Sequence, residues 1–145
     1  MAQTMNTGLA DVAVHYLHFL QAKVTPATVQ KDLEENAWYP SLLSLSDTFS
    51  KYKIHNDAFE VDEANFEMLE VPFAAYIFVP GTGKDFVLLT KKDNETISYL
   101  HKGKKTRSIS KEAFFKRFQN VVWLAEADEQ SGQKDFQSSV NALSL

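Results

Sequence analysis

The first third of the chain repeats apolar residues with the period of an α-helix. In its first segment the apolar positions recur every three or four residues, at Leu9, Val12, Ala13, Tyr16, Leu17 and Leu20. This stripe predicts an amphipathic helix with one buried face. Asn6 or Thr7 is a suitable N-cap for that helix, and Asp11 suits the positive end of its dipole.

Two further helices are predicted before the pattern changes. The second begins at Thr25-Pro26, because threonine caps well and proline is tolerated at the first helical position. It extends to about residue 35, and the Trp-Tyr-Pro run at residues 38–40 ends it. The third helix begins at Ser41, and its apolar stripe consists of Leu42, Leu45, Phe49 and Tyr52.

The rest of the chain has short apolar runs separated by polar turns, which is typical of strands. Strands are predicted at residues 54–61, 73–79, 86–91, 96–100, 106–109 and 121–125. Asp62 is predicted to cap a short helix that carries Phe66 and Leu69. Ser110 is predicted to cap a late helix whose aromatic residues are Phe114, Phe115 and Phe118.

Helices followed by an antiparallel sheet predict the α+β class, with an N-terminal helical block packed on the sheet. Residues 1–127 are expected to form one domain. From residue 128 the composition turns polar, so residues 128–145 are interpreted as a C-terminal tail, a linker or a loose terminal helix.

Composition excludes several kinds of function. The formal net charge is −4, which argues against a nucleic-acid partner. The chain has no cysteine, so disulfides, thiolate metal sites and cysteine nucleophiles are excluded. No apolar run approaches the roughly 20 residues that a membrane-spanning helix needs. His15 and His18 have a spacing compatible with a metal ion, but no further ligand lies nearby in sequence, so no metal and no cofactor are expected.

Two other motifs have ordinary interpretations. Gly81-Thr82-Gly83-Lys84 lacks the full phosphate-loop pattern and precedes a strand, so it is interpreted as a hairpin turn. A basic region could meet acidic lipid headgroups or an acidic partner, although such runs are more often solvated hairpin edges. Its members are Lys102, Lys104, Lys105, Arg107, Lys111, Lys116 and Arg117.

Two long stretches carry a family resemblance. They are NTGLADVAVHYLHFLQAKVTPATVQ at the front and VPFAAYIFVPGTGKDFVLLTKKDNETISYLHKGKKTRSISKEAFFKRFQNVVWLAE at the back. With the helix between them they cover about residues 6–126. In the order of its elements the chain resembles the C39 peptidase domain, the papain-like cysteine protease fused to bacteriocin-exporting ABC transporters. The resemblance implies a papain-like fold.

The resemblance also implies three catalytic positions, and each holds a different residue type here. The family's Asp-Cys-Gly matches Asn6-Thr7-Gly8, so Thr7 stands at the nucleophile position. Its Gly-His-Phe matches Lys84-Asp85-Phe86, and its Asp-Pro matches His101-Lys102. No residue matches the family's oxyanion glutamine. A cysteine protease needs a thiolate and a neighbouring histidine, so peptidase activity is not expected.

Thr7, Asp85 and His101 still supply a hydroxyl, a carboxylate and an imidazole. If the register holds, Asp85 and His101 lie on neighbouring strands and can form a hydrogen bond. A small hydrolase with a rearranged Thr7/Asp85/His101 site is therefore the alternative, although carboxylates are poor bases for alcohols near neutral pH. In the ordinary interpretation, Asp85 and His101 form a pair at the surface or at a cleft edge that contributes little to stability. Thr7 is then a residue that caps the first helix.

The function expected from the resemblance is a non-catalytic binding or regulatory module of a larger bacterial membrane protein. One setting is the cytoplasmic side of an ABC exporter. In the other setting, a C39-like domain precedes a vitamin K epoxide reductase-type membrane domain, often with a thioredoxin-like domain. The pattern of the back half of the chain favours this second setting. Expected partners are a peptide or protein segment, or the adjoining membrane domain, at the cytoplasmic side of the inner membrane. Trp38, Tyr39 and Tyr76 are candidates to line a peptide groove, although aromatic residues more often pack in the core.

Overall fold

The computed structural model describes residues 8–103 and 105–133. Helices fill the first third of the described chain and strands dominate the rest, as the sequence predicts. The elements in chain order are α1 (Leu9–Leu20), α2 (Pro26–Glu35), α3 (Leu42–Lys51), β1 (His55–Glu60), α4 (Glu63–Glu67), β2 (Phe73–Val79), β3 (Gly83–Lys92), β4 (Thr96–Leu100), β5 (Thr106–Ser110), α5 (Lys111–Arg117) and β6 (Phe118–Glu126).

The strands form one antiparallel sheet in the order β1-β6-β2-β3-β4-β5. The α+β class is thereby confirmed. β3 begins three residues earlier than predicted, because the turn of Gly81 and Thr82 is tight enough for Val79 to pair with Gly83. β6 also begins early: Phe118, predicted on the last helix, pairs with Ile77 of β2.

Helices cover both faces of the sheet. α1, α2 and α3 pack on one face, where Ala74, Leu88 and Trp123 join their apolar stripes in a single core. α4 and α5 cover the opposite face, where Phe66 meets Phe114 with ring centroids 5.3 Å apart. The sequence predicted these short helices but not that their phenylalanines form a second core.

Side-chain caps start three of the helices at the predicted residues. Thr25 accepts a hydrogen bond from the Thr28 N–H at 3.2 Å, Asp62 from the Asn65 N–H, and Ser110 from the Ala113 N–H. The predicted cap of α1 is wrong, because its N-cap is Gly8. Gly8 has no side chain that could accept a hydrogen bond from the N–H groups of the first helical turn. Asn6 and Thr7 lie outside the described residues.

Tyr16 fastens α1 to the sheet. Its hydroxyl accepts a hydrogen bond from the Ala125 N–H in β6 at 2.8 Å, and its ring meets Trp123 edge-on at 5.4 Å. Burial is the main reason that the pKa of Tyr16 rises to about 12. This contact fixes the height of α1 above the sheet.

Residues 128–133, the start of the predicted polar tail, rest against the helical block. The Gly132 N–H donates to the Tyr52 carbonyl at 2.7 Å, and the Gln133 N–H donates to the Lys23 carbonyl at 2.9 Å. The Gln133 side chain in turn accepts a hydrogen bond from the Thr25 N–H at 2.7 Å. The domain boundary at residue 127 stays a prediction, and the rest of the tail lies outside the described residues. None of the helices described above has the length and apolar character that crossing a bilayer requires.

Candidate functional site

The start of α1 lies against an open edge of β3. Among the described residues, β4 pairs with β3 only from Leu88 to Lys92, so the segment 83–87 has that edge free. Gly8 fills the gap. A Cβ atom added to Gly8 would overlap the Phe86 carbonyl oxygen and lie 3.0 Å from Cδ2 of His101. Glycine is therefore the residue that allows the helix to approach the strand this closely.

The Asp85 carboxylate is held by three hydrogen bonds at this point. Its Oδ2 accepts one from the Gly8 N–H at 2.7 Å and lies 2.9 Å from Nε2 of His101. Its Oδ1 accepts a hydrogen bond from the Phe86 N–H at 2.9 Å. The hydrogen bond between Asp85 and His101 that the strand register predicts is present.

The pair is largely removed from water, which corrects the interpretation of a surface pair, while Asp85 also lines a cleft, as the cleft-edge alternative predicts. The side chain of His101 is 6% exposed and that of Asp85 is 11% exposed. A carboxylate removed from water is stable when its oxygens are hydrogen-bonded. The positive end of the α1 dipole adds to this stabilisation. Asp85 accepts from the N–H of the N-cap residue itself, so its carboxylate anchors the start of α1 to β3.

A cleft of about 380 Å³ opens beside this carboxylate. It lies between the start of α1, the segment that joins α2 to α3, and the adjacent face of the sheet. Its walls are Leu9, Pro40, Ser41, Leu42, Tyr76, Lys84, Asp85, Phe86 and Val121. The cleft is therefore mostly apolar, with one lysine and one carboxylate.

The three aromatic groove candidates lie in different environments. Tyr76 lines the cleft, and its ring lies 4.8 Å from that of Phe86. Tyr39 is half-buried against the core of the helical block. Trp38 is 58% exposed and lies outside the cleft lining. Of the three, only Tyr76 is in contact with the cleft.

Sequence reasoning missed the part played by Gly8. The only signal was its place as the third residue of the triplet Asn6-Thr7-Gly8, at the predicted start of a helix. Glycine at such a position permits close approach of another backbone. The sequence does not reveal which backbone approaches, because Gly8 and Asp85 are 77 positions apart.

The other motifs with candidate chemistry lie apart from this site. His15 and His18 line a separate cavity of about 710 Å³ between α1 and α2. In residues 8–103 and 105–133, no three histidine or acidic side chains are grouped so that they could hold a metal ion. The glycines of the Gly81-Thr82-Gly83 turn have positive φ angles and connect β2 to β3, so the hairpin interpretation is confirmed.

Comparison with known proteins identifies the family. The family model of the Peptidase C39 family matches residues 2–130. The chain belongs to the Peptidase C39 family. No curated protein matches the chain.

Three solved C39 structures have the same fold. The peptidase domain of Streptococcus ComA, a bi-functional ABC transporter involved in a quorum sensing pathway, superposes with a TM-score of 0.71 at 12% identity, covering 86% of this chain and 93% of that chain. A double glycine motif protease from an AMS/PCAT transporter, in complex with the leader peptide, superposes with a TM-score of 0.71 at 13% identity. The match covers 84% of this chain and 85% of that chain.

The third structure is the N-terminal peptidase C39-like domain of a toxin secretion ATP-binding protein from Vibrio parahaemolyticus. It gives a TM-score of 0.67 at 11% identity, covering 84% of this C39 chain and 98% of that chain. At such identities the three structures establish the shared fold. The papain-like architecture expected from the sequence is confirmed.

Proposed function

We propose that this C39 domain is non-catalytic and binds a peptide segment in the cleft beside Asp85, as a module of a larger membrane protein. The observation that carries the proposal is the buried Asp85 carboxylate, fixed by the Gly8 N–H and His101 at the start of α1. The chain has no cysteine that could supply the thiolate of a C39 peptidase.

The hydrogen bonds of Asp85 favour a structural role for its carboxylate over a role as a base. Oδ2 accepts from the Gly8 N–H and also contacts His101, so both of its lone pairs are engaged. Oδ1 has one lone pair left beside its bond from the Phe86 N–H. A general base needs a free lone pair aimed at the proton that it removes. Asp85 has little capacity left for that task.

The cleft and its surroundings suit a peptide with apolar side chains. Tyr76 and Phe86 line the cleft, and Phe78, two residues beyond Tyr76 on β2, is 45% exposed. Trp38 is exposed on the segment that leads to Pro40 at the cleft wall. Exposed aromatic residues next to a cleft are typical of peptide-binding surfaces. The C39 protease of similar fold that is bound to its leader peptide supports this assignment by analogy.

The exporter setting is the one that the comparisons support. Two of the similar structures come from ABC transporters and the third from a toxin secretion ATP-binding protein. A domain of such an exporter would lie on the cytoplasmic side of the membrane. The vitamin K epoxide reductase setting, with or without a thioredoxin-like domain, has no support beyond the sequence resemblance.

A small hydrolase with a rearranged Thr7/Asp85/His101 site is the second candidate. The observation in its favour is that Asp85 both contacts His101 and lines an open cleft. The hydrolase hypothesis requires that the protein cleaves a peptide and that Thr7→Ala abolishes this cleavage. The non-catalytic proposal requires that intact peptide accumulates in the bound state.

Binding is tested by titrating a double glycine leader-type peptide into the protein and following tryptophan fluorescence. Phe78→Ala should weaken binding about tenfold, because one aromatic contact contributes on the order of 1–2 kcal/mol. Phe59→Ala is the matched control: Phe59 is 47% exposed and pairs on β1 with Val122, whereas Phe78 pairs on β2 with Lys84 of the cleft wall. Equal affinity for both variants would place the peptide elsewhere on the surface.

A further inference from the structure

His101 lines a polar pocket that is separate from the proposed peptide cleft. Its volume is about 490 Å³, and it lies between the β2–β3 turn, the end of β4, β5 and the end of α5. Its apolar wall is formed by Val79, Pro80, Tyr99 and Ile109, and its polar wall by Thr82, His101, Arg107, Ser108 and Arg117.

Both arginines of the chain line this one pocket. The sequence contains fifteen basic residues, of which only Arg107 and Arg117 are arginines. No carboxylate lines the pocket, and neither guanidinium forms a salt bridge with an acid in the described part of the chain. The chain has a net charge of −4, yet within residues 8–103 and 105–133 these two arginines form a local positive charge that no carboxylate pairs with.

The chemistry of the polar wall indicates the class of ligand. Guanidinium groups bind the oxygens of carboxylates and phosphates through paired hydrogen bonds. Thr82 and Ser108 add hydroxyl groups, and the Ser108 hydroxyl is already bonded to Ser98 at 2.7 Å. Two guanidinium charges match a phosphate monoester of nearly two negative charges better than a carboxylate of one.

We propose that the pocket of Arg107 and Arg117 binds a phosphate group. The site is distinct from the peptide cleft, although the two cavities share one boundary: Asp85 lines the cleft, His101 lines the phosphate pocket, and the two are hydrogen-bonded. Two sources carry such a group: a free phosphate compound and an acidic phospholipid headgroup. The proposal does not depend on the peptide-binding function.

The test is a titration of inorganic phosphate at constant ionic strength, followed by amide chemical shifts. Saturable shifts are expected at residues that line the pocket. Arg107→Gln and Arg117→Gln should each weaken binding about tenfold or more, because each removes charge-assisted hydrogen bonds. Lys105→Gln and Lys116→Gln are matched controls, since each removes one charge beside an arginine and neither lysine lines the pocket. Thermal unfolding confirms that the variants are folded. If Arg117→Gln does not fold, Arg117→Lys is used in its place.

Three outcomes overturn the proposal: no saturable binding at millimolar phosphate, equal loss of affinity in the lysine controls, or tighter binding of acetate than of phosphate. Sedimentation with phosphatidylcholine vesicles, with and without phosphatidic acid, separates the two sources. Arginine-dependent sedimentation with phosphatidic acid supports the proposal with a lipid headgroup as the source. Phosphate binding without sedimentation supports it with a free phosphate compound as the source.

Discussion

The backbone N–H of Gly8 donates a 2.7 Å hydrogen bond to the carboxylate of Asp85, 77 positions further along the chain. This bond joins the start of α1 to the open edge of β3. The same carboxylate oxygen contacts His101, so one atom links a helix and two successive strands. In this C39 domain Asp85 and His101 therefore form a buried junction between α1, β3 and the end of β4.

Replacing Asp85 should destabilise the fold. Asp85→Ala removes the acceptor for the Gly8 and Phe86 N–H groups and the partner of His101, so it should lower the free energy of unfolding by about 2–4 kcal/mol. Urea denaturation measures the change. The exposed Asp47 on α3 is the control, and Asp47→Ala should change stability by less than about 0.5 kcal/mol. Equal, small effects for the two variants would contradict the structural role of Asp85.

A side chain at Gly8 should also destabilise the fold. The added Cβ of Gly8→Ala overlaps the Phe86 carbonyl oxygen, which belongs to a strand and cannot move freely. Overpacking of this kind costs about 1–3 kcal/mol. Because Gly8 and Asp85 share one contact, the double variant should be less destabilised than the two single variants added together. Additive effects would show that the helix and the strand are not joined here.

Two buried tyrosines should make the domain sensitive to alkaline pH. Burial raises the pKa of Tyr16 to about 12, and burial together with the hydrogen bond to Asp32 raises the pKa of Tyr52 further. A pKa that is higher in the folded state favours the protonated form there. Their contribution to stability is therefore complete below the unfolded pKa of about 10 and is lost as pH rises above it.

Urea denaturation between neutral pH and the alkaline range measures this loss of stability. Phenylalanine cannot ionise. In Tyr16→Phe and in Tyr52→Phe, the free energy of unfolding should therefore fall less steeply above a pH of about 10 than in the native chain. The difference in tyrosinate absorbance between the native chain and Tyr16→Phe should show that Tyr16 ionises at a higher pH than an exposed tyrosine. If the free energy of unfolding falls with pH equally steeply in both variants and in the native chain, other groups cause the alkaline sensitivity.

The segment 128–133 should protect the start of α2. The Gln133 side chain accepts a hydrogen bond from the Thr25 N–H, and its backbone N–H donates to Lys23. Gln133→Ala should therefore speed hydrogen exchange at the Thr25 amide, with a loss of about 1 kcal/mol in local stability. Gln130→Ala, at an exposed position in the same segment, should leave that amide unchanged. Unchanged protection in Gln133→Ala would mean that the side chain does not hold α2.

Local patterns in the sequence were sufficient for most of the fold. The spacing of Leu45 and Phe49 predicts α3, and Thr25 and Ser110 mark helix starts through the caps that they form. Strand register also predicts the bond between Asp85 and His101, because both flank neighbouring strands. These inferences rest on contacts within a few residues or between adjacent elements.

The remaining features depend on contacts between distant parts of the chain. The burial of Asp85 follows from the approach of α1 at Gly8, and no pattern near either residue records that approach. Arg107 and Arg117 lie on the consecutive elements β5 and α5, but the pocket that they line is completed by the distant β2–β3 turn, through Val79, Pro80 and Thr82. Sequence reasoning placed both arginines in a basic hairpin region and did not predict a pocket.

We propose that this C39 domain holds a peptide and does not cleave it. Native mass spectrometry of the protein after incubation with a double glycine leader-type peptide measures both events in one spectrum. We expect a complex whose mass equals that of the protein plus the intact peptide, for the native chain and for Thr7→Ala alike. Peptide fragments that accumulate with the native chain and disappear with Thr7→Ala would contradict it.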